Sequence, residues 1–340
     1  MAKEYTIWTR ICNAYKLKMK ILVTGCAGFI GYHVTEYLLR NKHEVIGIDN
    51  INNYYDVKLK KSRMQILNNF KNFYFYKFDL VNDKKLNNII NKFNIKYIIH
   101  LAAQAGVRYS IENPKTYFKN NLEVFFNILE VSKKNKIKHL IFASTSSVYG
   151  ENDKFPLNEN EDTDKPISFY AATKKSNEVL AHSYSYIYNL PCTALRFFTV
   201  YGPYGRPDMA LFKFTKNILE NKNIELYNNG NHSRDFTYVD DIVSGIISIL
   251  KKPKTKNTPF NIFNIGRGNS KKLKEYLISI ETKLEKKAKI KKLPLQLGDI
   301  KKTHSDISSL KKYTGYKPKT DIDNGINNFV NWYLKYYNIS

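Results

Sequence analysis

From Met19 onward, short apolar runs alternate with longer stretches in which apolar residues recur every third or fourth position. Ile21 to Val23 open the series, and Ile30, Val34, Leu38 and Leu39 follow at helical spacing. Further runs span Glu44 to Ile48, Phe73 to Phe78, Tyr97 to Ala102 and His139 to Ala143, and a long helix beginning at Asn121 is expected to return the chain to the last of them. Such alternation, with strands apolar on both faces, predicts an α/β protein built on a doubly wound parallel sheet. Ligands of such sheets bind beyond the carboxyl ends of the strands, so those ends are where chemistry is to be sought.

The first strand end carries Gly25, Gly28 and Gly31 immediately before the first helical pattern. Glycine lets the backbone approach a pyrophosphate, and the helix start behind it offers free N–H groups and a partial positive charge. Three glycines alone are as compatible with an ordinary strand-to-helix loop. Asp49, about 20 positions further on at the end of the second run, stands where a ribose-binding carboxylate belongs and makes this a Rossmann-type dinucleotide site. A carboxylate there repels a 2′-phosphate, and Asn50, Asn52 and Asn53 follow with no arginine among them, so NAD is expected over NADP. Asp79 and Leu80, after the third run, are placed to frame an adenine.

With 340 residues the chain can bury a sizeable core. Its formal charge of +25 raises the question of nucleic acid, but the excess is mostly lysine spread along the chain, so no nucleic-acid partner is expected. An anionic nucleotide would still be drawn to such a surface. No run approaches the ~18 apolar residues of a membrane span. Cys12, Cys26 and Cys192 lie far apart, which predicts neither a disulfide framework nor a metal site and fits a cytoplasmic protein. Residues 1–18 precede the first strand, lack the apolar core of a secretory signal and are assigned no function.

The fifth run ends in Ser144, Thr145, Ser146 and Ser147, and a helical stretch further on holds Tyr170 and Lys174. Residues four apart share a helix face. A tyrosine of ordinary pKa ~10 must fall by about three units, a differential of about 4 kcal/mol, to act as a base at neutral pH. Lys174 and a cationic nicotinamide ring are expected to favour the phenolate, with Thr145 guiding the substrate proton to it.

Glycine turn, Asp49, hydroxyl-bearing strand end and Tyr-Lys helix occur in the order used by the extended short-chain dehydrogenase/reductases, whose T-G-x-x-G-x-x-G turn is matched by Thr24 to Gly31. The segments His100-Leu-Ala-Ala-Gln-Ala-Gly-Val-Arg108-Tyr-Ser110, Arg196-Phe-Phe-Thr199-Val-Tyr-Gly-Pro203, Arg206-Pro-Asp-Met-Ala210 and Ser233-Arg234-Asp235-Phe-Thr-Tyr-Val-Asp-Asp241 resemble those of bacterial and plant UDP-glucuronate 4-epimerases, from Met19 nearly to the C-terminus. Val124 departs from that pattern, which usually has glycine there. The resemblance implies NAD contacts from Gly25, Gly28, Phe29, Ile30 and Gly31, from Asp49, Asn50, Asp79 and Leu80, and from Leu101, Ala102, Ala103, Asn121, Tyr170 and Lys174. It implies catalysis by Thr145, Tyr170 and Lys174 through a 4-keto intermediate. The small-molecule UDP-sugar would meet Arg108, Thr145, Ser146, Ser147, Thr199, Arg206 and Arg234, with Arg234 on the nucleotide phosphates.

Neighbouring activities differ at the strand end. Hexose dehydratases place Asp-Glu after the threonine and UDP-glucuronate decarboxylases resemble T-S-E there, whereas this chain has Ser146 and Ser147. Galactose-type epimerases carry asparagine at the position of Thr199 and arginine near Gln296. UDP-glucuronate and UDP-galacturonate are thus the expected pair, with another UDP-sugar such as UDP-glucose or a UDP-N-acetylhexosamine, decarboxylation, or a non-catalytic NAD sensor as alternatives. Residues 19–200 are expected to form mainly the NAD domain and 201–340 mainly a smaller C-terminal α/β part for the UDP-sugar, with some segments returning. Relatives dimerise through two helices per subunit, which here implies a homodimer through helices around Leu122 to Lys133 and Asn177 to Tyr188, although the stripe of Leu122, Phe125, Phe126 and Leu129 equally suits a helix facing its own sheet.

Overall fold

The computed structural model describes residues 18–296 and 298–339. Nearly all of the segment assigned no function, and Cys12 with it, lie outside them. In chain order the strands are β1 (Lys20–Thr24), β2 (Glu44–Asp49), β3 (Phe73–Lys77), β4 (Tyr97–His100), β5 (His139–Thr145), β6 (Cys192–Phe197), β7 (Thr199–Tyr201), β8 (Asn223–Leu226), β9 (Ser233–Tyr238), β10 (Phe260–Ile265), β11 (Ser270–Lys272) and β12 (Lys289–Lys292). Seven of them form one sheet in the order β10-β6-β5-β4-β1-β2-β3, and each of its pairings is parallel. The doubly wound Rossmann-type sheet expected from the apolar alternation is therefore present. Helices Phe29–Arg40 and Val239–Leu250 bury Val34, Leu38, Ile242 and Ile246 in one core, while Asp83–Phe93, Val124–Lys134 and Phe169–Tyr188 bury Ile90, Ile128 and Ala181 in another.

The C-terminal half supplies the three-stranded sheet β11-β9-β7 and the pair β12-β8, with helices Ala210–Leu219, Leu273–Leu284 and Ile322–Tyr337. β10, however, pairs with β6 at the edge of the main sheet, so the chain beyond Lys251 is shared between the two parts. Among the described residues no helix is long and apolar enough to cross a membrane.

Two local expectations change. Asn121 does not open a helix: Pro114–Tyr117, a π-helical turn over Phe118–Glu123 and Val124–Lys134 run on continuously, and Val124 is a buried residue just after that turn. The extra residue of a π turn re-aims side chains, as is common at functional sites. The stripe on this helix also divides, for Phe125 and Leu129 are fully buried while Phe126 faces outward.

Candidate active site

At the end of β1 the backbone leaves no room for side chains. Gly25 has φ +72°, and a Cβ on it would lie 2.7 Å from the Ala102 nitrogen; one on Gly31 would lie 2.0 Å from the Gly25 carbonyl oxygen. Gly28, Phe29 and Ile30 complete this wall of a cavity of about 1080 Å³. The Asp49 carboxylate, at the end of β2, accepts from Ala27 N (3.1 Å) and Ile51 N (2.7 Å), which ties it to the glycine turn. It lines an adjoining recess with Asn50, Asp79, Leu80, Leu101, Ala102 and Ala103. The blocked Cβ positions, the helix start and the half-buried carboxylate at the end of β2 fit a dinucleotide.

Asn121 sits behind that wall. It is 1% exposed, its amide oxygen accepts from Gln104 N (2.8 Å), and its amide nitrogen donates to the Gln104 carbonyl (3.0 Å) and to Thr173 Oγ1 (3.1 Å). It braces the loop after β4 against the helix that carries Tyr170. Lys60, not among the residues expected here, donates its ammonium to the Asn52 carbonyl and side chain at 2.8 and 2.7 Å and lines the Asp49 recess. Basic residues at that end are thus less sparse than the segment after Asp49 implies. Leu59, Lys60, Arg63, Met64 and Leu67 recur at helical spacing, and that periodicity was the available sign that Lys60 points inward.

β5 reaches Thr145, two residues further than its apolar run, so Thr145 ends the strand and caps the short turn Ser146–Tyr149. Its hydroxyl accepts from Ser147 N (3.2 Å), lies 3.2 Å from Ser147 Oγ and also faces the Tyr170 phenol. Ser168 caps the following helix by accepting from Ala171 N (3.1 Å), which fixes Tyr170 in the first turn and Lys174 one turn on. Lys174 is 2% exposed, donates to the Ala143 carbonyl (2.9 Å), and is pulled by burial to a pKa of about 8. Burial pushes the Tyr170 phenol above its ordinary value, against the opposing effects of the Thr145 hydrogen bond and the Arg206 charge. The lowered tyrosine expected from the Tyr-Lys spacing is therefore not a property of the protein groups alone, because desolvation of the phenolate outweighs them.

The far side of the cavity is basic. Arg206 holds Asp208 through two bonds, Nε–Oδ1 at 3.0 Å and Nη2–Oδ2 at 2.5 Å. Arg108 pairs with Asp299 at 3.1 Å and lies 4.5 Å over the Tyr227 ring. Arg234 donates to the carbonyls of Ser233 (3.0 Å) and Lys301 (3.1 Å), and burial lowers it to about 10. Ser146, Ser147 and Thr199 line the same cavity, as do Lys213, Lys222 and Lys291, none of which was expected at the site. Every substrate-side residue expected from the sequence thus faces one space. The carboxylates Asp208 and Asp299 were not anticipated, since neither lies in a pattern that assigns it a partner.

A glycine turn tied to an acid-ended strand, with a Tyr-Lys helix across the cavity, defines a dinucleotide-binding fold of the short-chain dehydrogenase/reductase kind. The model of the NAD dependent epimerase/dehydratase family matches residues 21–266, and the chain belongs to that family. It is 49% identical over 333 residues to Protein CapI of Staphylococcus aureus, covering 94% of this chain and 99% of the relative. It is 42% identical over 334 residues to a probable UDP-glucuronate 4-epimerase of Rhizobium meliloti (strain 1021), covering 94% and 98%. In structure it is similar to a UDP-glucuronic acid 4-epimerase from Bacillus cereus solved with UDP-glucuronic acid and NAD, at a TM-score of 0.89 and 35% identity over 94% of this chain and 100% of that one.

Proposed function

We propose that this protein is an isomerase that interconverts UDP-glucuronate and UDP-galacturonate by inverting carbon 4, with NAD as its resident cofactor. The observation that carries the reading is the company kept by Tyr170: hydroxyls of Thr145, Ser146, Ser147 and Thr199 line its cavity together with Arg206. A relative at 42% identity, named a probable UDP-glucuronate 4-epimerase, and a solved UDP-glucuronic acid 4-epimerase support the reading. NAD would be held by the glycine turn, Asp49, Asn50, Asp79, Leu80 and the residues after β4. When bound in oxidised form it supplies a reversible hydride acceptor and a cationic ring, a positive charge added to those of Lys174 and Arg206 near the buried Tyr170.

The chain's own groups do the rest. Thr145 shares the O4 proton and hands it to Tyr170, and Lys174, protonated at neutral pH with a pKa of about 8, holds a positive charge behind the phenolate. A uronic acid oxidised at carbon 4 is a β-keto acid and loses carbon dioxide when its carboxylate bond aligns with the carbonyl π-system. Ser146, Ser147 and Thr199 donate to the carboxylate and fix its rotation, and no acid stands in the turn after Thr145 to repel it. Arg206 and Arg234 neutralise the anionic ligand.

The protein purified without added nucleotide should carry NAD rather than NADP and convert UDP-glucuronate to UDP-galacturonate, followed by proton NMR. Turnover of UDP-glucose or a UDP-N-acetylhexosamine in preference to the acid would overturn the substrate assignment, and tighter binding of the 2′-phosphorylated cofactor the role of Asp49. We assign the protein to a reducing cytoplasm, which the free buried thiols of Cys26 and Cys192 suit. We also assign it a homodimeric state. Phe118 and Phe126 are 59% and 48% exposed, and Val179 and Tyr186 on the Tyr-Lys helix are 58% and 72% exposed, apolar surface that the same two helices of a second copy would cover. Phe126→Lys should shift sedimentation from dimer to monomer; a wild type that sediments as monomer at every concentration removes the assignment.

A further inference from the structure

Thr145 and Tyr170 belong to different layers, a strand and the helix packed on it, so the height of one against the other decides whether their hydroxyls meet. Behind them lies an enclosed ion pair that the proposed chemistry does not use. Arg196 on β6 and Glu178 on the helix Phe169–Tyr188 are each 2% exposed. They bond twice, Nε to Oε1 at 2.9 Å and Nη2 to Oε2 at 2.8 Å. Oε1 also accepts from Ser144 Oγ at 2.5 Å.

The pair reaches every element that shapes the reacting corner. Ser144 immediately precedes Thr145 and is the register partner of Arg196 across β5 and β6. Glu178 follows Lys174 by one helical turn and Tyr170 by two, so the three side chains lie on one face. Arg196 Nη1 donates to the Glu159 carbonyl (3.3 Å), and the guanidinium lies 4.8 Å over the ring of Tyr149, the last residue of the turn that Thr145 caps. Ser144 lines the cavity, yet its proton is committed to Glu178.

Burying two charges so completely is a poor way to gain stability, because their desolvation offsets most of their attraction and an apolar pair of similar volume does as well. What a bidentate pair supplies and an apolar pair does not is a fixed distance. We propose that Glu178 and Arg196 are positioning residues, which lock the Tyr-Lys helix against the end of β5 at the height where the Tyr170 phenol meets the Thr145 hydroxyl. This rests on the assignment of Tyr170 and Thr145 to proton transfer. The pair touches no ligand and sets only their geometry.

Three variants test it, with kcat expressed per folded chain as measured by circular dichroism. Glu178→Gln leaves the guanidinium buried without an anion, and its melting temperature should fall sharply. The double variant Glu178→Gln with Arg196→Met removes both charges and should regain most of that loss. Positioning requires that its kcat on UDP-glucuronate nonetheless stays on the order of tenfold to a hundredfold below wild type, with KM and bound NAD within about twofold. Recovery of kcat together with melting temperature would make the pair merely structural and overturn the inference. Glu178→Asp keeps the charge but shortens the arm: a lowered kcat at unchanged KM supports the inference, and wild-type kcat sinks it even if the double variant melts early. Tyr170→Phe is the control. If it turns over normally, the assignment of the base has failed, and not only the inference built on it.

Discussion

Thr145, Tyr170 and Lys174 project from the end of β5 and the first two turns of one helix, whereas Arg108, Arg206 and Arg234 project from a short helix, a loop and the small sheet across the same cavity. In the first group desolvation dominates: the phenol is held neutral and the ammonium is brought down to about 8. In the second, each guanidinium is already engaged by protein oxygens, with Asp208 and Asp299 as counter-charges. One side is thus fixed and electrostatically strained, whereas on the other Arg206 and Arg108 are compensated by carboxylates and ready to exchange partners, and Arg234 alone is lowered by burial, to about 10. Proton transfer needs sub-ångström geometry and a tuned charge, while capture of a diphosphate needs only cations that can let go of one anion for another.

The largest effect should come from the fixed side. Tyr170→Phe removes the proton acceptor and should lower kcat by about 10²–10⁴-fold with little change in KM, read by NMR-detected turnover. Activity within a few-fold of wild type would move the base elsewhere.

Lys174→Met should separate stability from function. Because burial lowers Lys174 from 10.5 to about 8, the protonated amine is the disfavoured form in the folded chain. Below pH 8 both states hold the proton and the full cost of about 3 kcal/mol applies; between about 8 and 10.5 the folded chain loses it first and the cost fades. The methionine variant should therefore be inactive yet more stable than wild type at pH 7, by about 2 kcal/mol once the lost bond to the Ala143 carbonyl is counted. Its advantage in urea melts should vanish as pH approaches 10.5.

Between the two regions stand the short hydroxyls. Thr199→Ala and Ser147→Ala each remove one bond to a carboxylate, about 1.5–3 kcal/mol, or roughly tenfold to a hundredfold in preference for UDP-glucuronate over UDP-glucose. Release of some UDP-pentose from the acid should accompany it. Equal losses on both sugars with no decarboxylated product would return these hydroxyls to strand-end capping, for which the 3.2 Å bond from Ser147 N to Thr145 Oγ1 is already an example.

The smallest effect belongs to the compensated side. Arg108 and Asp299 are partly exposed, so breaking their pair with Asp299→Asn frees a cation at a cost of about 0.2–1 kcal/mol. KM for the UDP-sugar should fall by about two- to fivefold with kcat unchanged. A raised KM would mean that Asp299 holds Arg108 in its binding pose.

Much of this was legible in the chain because the signals are local. Strand and helix periods, glycines that a turn requires and a tyrosine and lysine one helical turn apart all act within a few residues of themselves, so the parallel sheet, the Asp49 end and the Tyr-Lys face could be placed before any contact was known. Residue type and spacing pointed to the groups to which the chemistry is assigned under the proposed function. Tertiary structure alone decided how those groups are charged and held: that desolvation raises Tyr170, that Asn121 sits in a π turn behind the wall, and that Glu178 and Arg196, eighteen positions apart, close on each other beneath Ser144. Desolvation and long-range pairing depend on what the rest of the fold excludes or brings near, and no pattern along the sequence encodes that.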